Sequence, residues 1–211
     1  AGKSKSMKLL REYIRELLKE AALGVDALVE KDVYITVSKD GLTDYTVYYS
    51  DENGEPKDGY RGVYGEVTLD RASKGTGPCD GAFIVVSTMA TKGWGPMLYD
   101  VAMEVATQNG NGLTPDRRSV SNAAQNVWSY YFNDRGDVQS YQLDLTDIEA
   151  AYYTDLNVQK LTPDIEEDDC LQSKTIKAYG DKWDQSPLSK RYTKPPTTLN
   201  KLRAAGRLVE K

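Results

Sequence analysis

The fold of this chain is decided by the stretch Gly81-Ala82-Phe83-Ile84-Val85-Val86-Ser87-Thr88-Met89-Ala90-Thr91-Lys92-Gly93-Trp94-Gly95-Pro96-Met97-Leu98-Tyr99. Its first part is aromatic and β-branched from Phe83 to Val86, as a buried central strand requires. After the glycines, apolar residues recur with the spacing of one helix face, at Met97, Leu98, Val101, Ala102, Val105 and Ala106. The pattern therefore predicts a strand and then a helix, joined by Lys92-Gly93-Trp94-Gly95.

Two interpretations of this connection stay open. Pro96 suits the first helical turn, where a missing N–H costs nothing, and the adjacent glycines let backbone amides lie open at the helix start. Open amides at the positive end of a helix dipole form an anion site. The glycines can equally serve only a tight strand-to-helix connection, because short glycine motifs are weak signals.

At these residues the sequence resembles the GNAT acetyltransferase superfamily, whose acetyl-coenzyme A loop reads Gln/Arg-x-x-Gly-x-Gly/Ala between the fourth strand and the third helix. Gly93 and Gly95 match the two small positions, whereas Ala90 stands where the family has Gln or Arg. The resemblance implies a loop that binds the diphosphate of acetyl-coenzyme A and a strand that orients its thioester. The cofactor-binding residues that it implies here are Ser87, Lys92, Gly93, Trp94, Gly95 and Pro96.

Upstream of this stretch, alternating apolar and polar residues predict strands at 33–38, 44–50 and 62–71. Strong turn signals at 39–41 and 51–56 separate them. Together with 82–88, they predict an antiparallel meander of four strands. Helix, meander, glycine turn and helix is also the order of elements that the GNAT resemblance implies.

Downstream, Asn109-Gly110-Asn111-Gly112 is typical of the end of a helix, and Ser119 or Ser121 can cap the next one. The buried face of that second helix is expected to contain Ala124, Val127, Trp128 and Tyr131. A strand is then expected at 138–143.

The second helix resembles the superfamily's next motif, Asn-x-x-Ala-x-x-x-Tyr, which flanks the coenzyme and supplies a tyrosine general acid. With Ala124 on the family alanine, Ser121 takes the asparagine position and becomes a further cofactor-binding candidate. Trp128 stands at the tyrosine position, so Tyr131, one turn further on the same face, is the substitute acid. A purely structural role for Trp128 and Tyr131 in the core is the alternative.

The chain contains no histidine, which excludes Ser-His-Asp and Cys-His catalysis and imidazole-based zinc chemistry. Proton transfer would fall to carboxylate, tyrosine, lysine, cysteine or water. Glu66, on the strand before the central one, is the candidate general base. Cys79 and Cys170 are too few for a zinc site or a disulfide framework, so we expect free thiols and no metal, with a bridge between them left open.

Residues 1–6 are expected to be a disordered lead or an addition ahead of a natural start at Met7. Residues 7–22 predict an amphipathic helix with Leu10, Ile14 and Leu17 on its apolar face. That face can pack on the domain's own sheet, or it can dock on a phage or host protein as a recognition helix.

The net charge changes from negative to positive along the C-terminal part of the chain. Nine acidic residues against Lys160 predict a solvated acidic loop at 144–169, whereas 186–211 carries seven basic residues against Glu210. We expect the basic tail to fold back on its own domain, with the acidic stretch as an internal partner and nucleic-acid binding as the alternative. Thr197 or Thr198 can cap a last short helix that runs to Leu208.

Three segments further resemble proteins of tailed bacteriophages to which no activity is attached: residues 93–102, 116–121 and 186–192. The leader at 7–22 is similar in character to the packaging signals of phage internal head proteins. This resemblance implies a location in the host cytoplasm or the virion. No apolar run approaches the ~20 residues that a bilayer span needs, so a cytoplasmic protein without a membrane partner is expected.

These observations predict an α/β, GNAT-like fold with a mostly antiparallel central sheet flanked by helices. Residues 7–160 would form the domain, and 161–211 an acidic loop and a basic extension packed on it. The function that the resemblance implies is transfer of an acetyl group from acetyl-coenzyme A to an amine. The alternative is a non-catalytic bacteriophage binding or packaged protein on a degenerate scaffold of the same kind.

Overall fold

The structure is a computed structural model that describes residues 24–41, 44–57, 64–71, 81–115, 120–143 and 185–211. The predictions for residues 1–6, for the leader at 7–22, for Cys79 and Cys170 and for the acidic stretch at 144–169 lie outside these residues.

The strands of the described chain form one sheet. They are β1 (Tyr34–Asp40), β2 (Asp44–Ser50), β3 (Gly65–Arg71), β4 (Phe83–Ala90), β5 (Leu113–Pro115), β6 (Gln139–Gln142), β7 (Lys190–Thr193) and β8 (Leu208–Glu210). Their order across the sheet is β6-β7-β5-β4-β3-β2-β1-β8. Five of the seven pairings are antiparallel, and β4–β5 and β1–β8 are parallel. An α/β fold with a mostly antiparallel central sheet is therefore confirmed.

The helices that accompany this sheet are α1 (Val25–Glu30), α2 (Gly95–Asn109), α3 (Asn122–Asp134) and α4 (Thr197–Ala204). Ser121 accepts a hydrogen bond from the Ala124 amide at 3.2 Å, so the predicted cap of the second helix is confirmed there. A short 3-10 turn, Pro187–Ser189, precedes β7.

The meander forms because its strands alternate. Ile35, Val47 and Val67 are fully buried on one face of the sheet, and Val47 pairs directly with Val67. The opposite face carries polar neighbours such as Tyr48 and Glu66, which pair with each other between β2 and β3. A one-residue shift would exchange these faces, so the sequence pattern fixes the register.

Helix α2 lies at the centre of the core and is buried on nearly all sides. Its residues from Met97 to Ala106 are buried except for the half-buried Asp100, and the buried set includes the acidic Glu104. Helix α3 covers it through Trp128, whose ring lies 5.6 Å from Tyr99 of α2 and stacks on Tyr192 of β7 at 5.0 Å. The predicted core face of α3 is confirmed for Trp128 and Tyr131.

The basic tail is part of the sheet itself. β7 lies between β5 and β6, and β8 pairs with β1 at the far edge. Gly112 is required where β5 begins, because its φ is +96° and a Cβ there would lie 2.5 Å from the Tyr192 carbonyl oxygen.

Two details of the tail differ from the prediction. The last helix ends at Ala204, and Leu208 begins β8, because the chain turns at Gly206 with a φ of +63°. Neither Thr197 nor Thr198 caps the helix with its side chain. The amides of Thr198 and Leu199 instead donate to the Glu104 carboxylate at 2.7 Å each.

Candidate functional site

In the part of the chain that the structure describes, the second half of β4 is paired with a strand on one edge only. β3 pairs with β4 from Phe83 to Ala90, with Val86 left out, but β5 pairs only with Phe83, Ile84 and Val85. β5 ends at Pro115, which has no amide hydrogen to continue the ladder. Among the described residues, no strand pairs with the backbone groups of 86–90 on that edge, and unpaired edge groups are the kind to which an added strand or an extended ligand binds.

A β-bulge marks the point where the edge opens. Thr68 of β3 pairs with Ser87, but the next residue, Leu69, pairs with Val85, so Val86 has no partner across the β3–β4 ladder. Bulges twist a strand and change the direction of the following side chains. Val86 is accordingly 50% exposed, and the residues from Ser87 to Ala90 are exposed as well.

β4 leads directly into a tight turn and then into α2. The Trp94 amide donates to the Thr91 carbonyl oxygen at 3.1 Å, and Gly93 has a φ of +90° that L side chains rarely adopt. α2 begins at Gly95 with Pro96 in its first turn, and none of the described side chains caps it. The amides of its first turn, at the positive end of the helix dipole, therefore have no side-chain partner in the described chain.

Trp94 holds this turn against the sheet. Its ring lies 4.8 Å from Tyr49 and 4.2 Å from Tyr64, and only 7% of the residue is exposed. The Tyr49 hydroxyl donates to the Trp94 carbonyl oxygen at 2.7 Å. Trp94, a predicted cofactor residue, is thus the anchor of the turn, whereas Lys92 is exposed.

The structure brings Ser87 and Glu66 together on one sheet face. Ser87 pairs with Thr68, and Glu66 pairs with Met89, so the two residues are diagonal neighbours, about 7–8 Å apart by sheet geometry. Glu66 is half-buried, and its carboxylate makes no hydrogen bond or ion pair with any residue that the structure describes. Met89, beside it, is 46% exposed.

Tyr131 is a residue of α3, and its hydroxyl lies against the first turns of α2. Its hydroxyl donates to the Asp100 carboxylate at 2.7 Å and lies 3.2 Å from the Pro96 carbonyl oxygen. Burial raises the pKa of Tyr131 well above its ordinary value, and the Asp100 carboxylate raises it further. Tyr131 is only 1% exposed. Ser121 uses its hydroxyl as the cap of α3.

Sequence reasoning missed Tyr99, which lies beside the open half of β4. Its hydroxyl is 3.1 Å from the Thr88 hydroxyl oxygen, one residue after Ser87. Burial raises the pKa of Tyr99, so its proton is retained at neutral pH. The signal was present in the sequence, since Tyr99 falls on the first turns of the helix that follows the glycines.

A second feature that the sequence did not reveal is a network of polar side chains between α2 and the end of α3, formed by Asp100, Tyr131, Arg135 and Asp137. Arg135 forms ion pairs with Asp100 at 2.9 Å and with Asp137 at 2.7 Å. Burial raises the pKa of Asp100, and the Arg135 charge opposes that rise. The hydrogen bond from Arg135 lowers the pKa of Asp137 to about 2. The spacing of Asp100 and Glu104, one turn apart in an apolar helix, was the available signal.

A cavity of about 250 Å³ lies next to this network. It is lined by residues at the start of α1, in the first turns of α2, in α3 and in α4. Its walls are mostly apolar, and its polar side-chain groups belong to Asp100, Tyr130, Tyr131, Arg135, Thr198 and Lys201. Apolar walls with a few polar groups of shifted pKa are typical of ligand sites.

The described residues contain no group of three or more acidic, cysteine or histidine side chains that could hold a metal ion. None of the described helices combines the length and apolar character needed to cross a bilayer. Comparison of the chain with protein-family models, curated proteins and solved structures gives no match.

Proposed function

We propose that this protein is a GNAT-like acyltransferase that takes an acetyl group from acetyl-coenzyme A and transfers it to an amine. The observation that carries the proposal is that, among the described residues, the second half of β4 has one unpaired edge and leads directly into a start of α2 that no side chain caps. An extended ligand with its own amide groups can lie along the first, and a diphosphate can bind at the second. The order of meander, turn and helix supports the GNAT resemblance.

The glycine turn suits the diphosphate of the coenzyme, and residues 86–90 suit its pantetheine arm. Gly93 lets the turn fold back through positive φ, and Gly95 leaves the backbone of α2 accessible, because a Cβ there would meet only the Ala90 Cβ at 3.6 Å. The open edge at 86–90 offers backbone groups to the amides of the pantetheine arm. When bound, the coenzyme supplies an activated acyl thioester.

Side chains of β3 and of the neighbouring helices then have assignable roles. Glu66 is the group that removes a proton from the incoming ammonium, so that the free amine can form its bond to the acyl carbon. A tyrosine hydroxyl would donate a proton to the sulfur as the carbon–sulfur bond breaks, and the tyrosinate would take back the proton that the new amide nitrogen loses. Both Tyr131 and Tyr99 are candidates, and the geometry favours Tyr99, because the Tyr131 proton is already donated to Asp100.

The test is calorimetric titration of the folded protein with acetyl-coenzyme A. We expect saturable binding, and we expect coenzyme A itself to compete for the same site. No heat at millimolar ligand, with a folded protein by circular dichroism, would overturn the proposal.

A non-catalytic binding protein on the same scaffold is the second candidate, as expected for a phage virion or host-interaction protein. The specific observation in its favour is that Tyr131 and Trp128 are core residues with 1% exposure each. Under this alternative, acetyl-coenzyme A would not bind, and the leader at 7–22 would recognise a protein partner. Measurable transfer of an acetyl group to an amine would exclude this second candidate.

A further inference from the structure

The cavity lined by α2, α3 and α4 lies next to the proposed cofactor site. It begins at the same first turn of α2 that would hold the diphosphate, and it continues to α4 in the C-terminal tail. The residues of the cavity that matter for this inference are Pro96, Met97, Val127, Tyr130, Thr198 and Lys201. Three helices distant in sequence thus contribute to one space.

The size of the cavity limits what it can hold. Its volume of about 250 Å³ lies below the roughly 300–1,000 Å³ that is typical for whole drug-sized ligands. A space of this size accommodates one part of a larger ligand. The half-buried Tyr130 ring and the Val127 side chain provide an aromatic and an apolar wall for a planar group.

The α4 wall of the cavity offers donors for an anion. The Lys201 ammonium has no ion-pair partner among the residues that the structure describes, and Thr198 is one turn earlier on the same helix face. The Thr198 hydroxyl accepts a hydrogen bond from Lys194 at 3.1 Å, so its own proton remains available to donate. The nearby Asp100 carboxylate is offset by Arg135, which lies 2.9 Å from it.

We infer that this cavity binds the adenosine end of coenzyme A, with the base against Tyr130 and Val127 and the 3′-phosphate on Lys201 and Thr198. This inference rests on the proposed function, since it continues the ligand from the start of α2. It makes the C-terminal tail a specificity element that distinguishes coenzyme A from carriers that lack the 3′-phosphate.

The experiment compares the binding of coenzyme A and 3′-dephospho-coenzyme A by calorimetry, in the full-length chain. We expect the wild-type protein to bind coenzyme A on the order of tenfold more tightly, as a charge-assisted contact predicts. Lys201→Ala should abolish this preference by weakening only coenzyme A, and Lys201→Arg should restore most of it. Arg203→Ala is the matched control, because Arg203 is on the same helix but pairs with Glu210 at 2.7 Å.

The outcomes separate the two proposals. Equal binding of both ligands by the wild type, or a preference that survives in Lys201→Ala, would overturn this inference and leave the proposed function intact. A preference lost equally in Arg203→Ala would show a general charge effect and would also overturn it. Binding of neither ligand would refute the proposed function and this inference together.

Discussion

The Lys194 ammonium and the Glu104 carboxylate form an ion pair in which both side chains are completely buried. Lys194 directly follows β7, and Glu104 lies in the middle of α2. The same carboxylate accepts hydrogen bonds from the first-turn amides of α4. One carboxylate therefore joins the C-terminal tail to the central helix and caps the last helix.

Removing one partner of this pair should be strongly destabilising, because the other charge would remain buried without compensation. We expect Lys194→Met or Glu104→Gln to lower the free energy of unfolding by about 3–5 kcal/mol, measured by urea denaturation. The matched control is Arg203→Met, whose exposed pair with Glu210 should contribute less than about 1 kcal/mol. Similar losses in all three variants would contradict this account of the tail.

Local patterns in the sequence predicted the meander and α2 well, since alternation and helical spacing are properties of neighbouring residues. β5 was not recognised as a strand, because three residues that include Pro115 carry no periodicity. The insertion of β7 between β5 and β6 depends on pairs such as Tyr141 with Arg191, far apart in sequence. No local signal specifies such partners.

The same limit applies to the candidate site. The glycine turn was recognised because Gly93 is a local requirement, with its φ of +90°. The environment of Tyr131 was not predictable, since its partner Asp100 lies on another helix, 31 residues away in sequence. Among the described residues, the unpaired edge of β4 likewise depends on which of its residues pair with β5, which is a property of the sheet.

The two glycines of the turn should respond differently to alanine. Gly93→Ala forces an L side chain into positive φ and should cost about 1–2 kcal/mol of stability. Gly95→Ala should leave thermal stability nearly unchanged, because its Cβ would make an ordinary contact at 3.6 Å. If the turn holds a diphosphate, Gly95→Ala should still weaken acetyl-coenzyme A binding. Unchanged affinity in a stable Gly95→Ala variant would argue for a purely structural turn.

The two tyrosine candidates can be separated by removing one hydroxyl at a time. We expect Tyr99→Phe to lower kcat by about 100-fold or more, as loss of a general acid predicts. Tyr131→Phe should chiefly lower the melting temperature, because Asp100 loses one of its hydrogen-bond donors and, among the described residues, keeps only Arg135. The measurement is acetyl transfer to a small amine at saturating acetyl-coenzyme A, beside thermal unfolding. The reverse result would assign the acid to Tyr131.

Stability should fall at alkaline pH. Burial raises the pKa of Tyr49, Tyr99, Tyr131 and Tyr192 above the ordinary value of 10.0. A raised folded-state pKa contributes stability that is complete below pH 10 and is lost as the pH rises above it. Urea midpoints measured between about pH 8 and pH 11 should therefore decrease, and Tyr192→Phe should reduce that decrease. A flat profile in the wild type would contradict the burial of these hydroxyls.

The last prediction concerns the leader at 7–22, whose predicted apolar face contains Leu10, Ile14 and Leu17. Burial of such a face contributes several kcal/mol of favourable free energy, at ~25 cal/mol per Å² of apolar surface, either to folding on the sheet or to binding of a partner. Deleting residues 7–22 keeps α1, whose Leu28 is fully buried in the core. We expect a sharp drop in melting temperature, because an apolar surface of the domain would be exposed. Arg15→Ala, on the polar face, is the control and should change little. A truncated protein that melts as the intact one does would instead assign the leader to a partner.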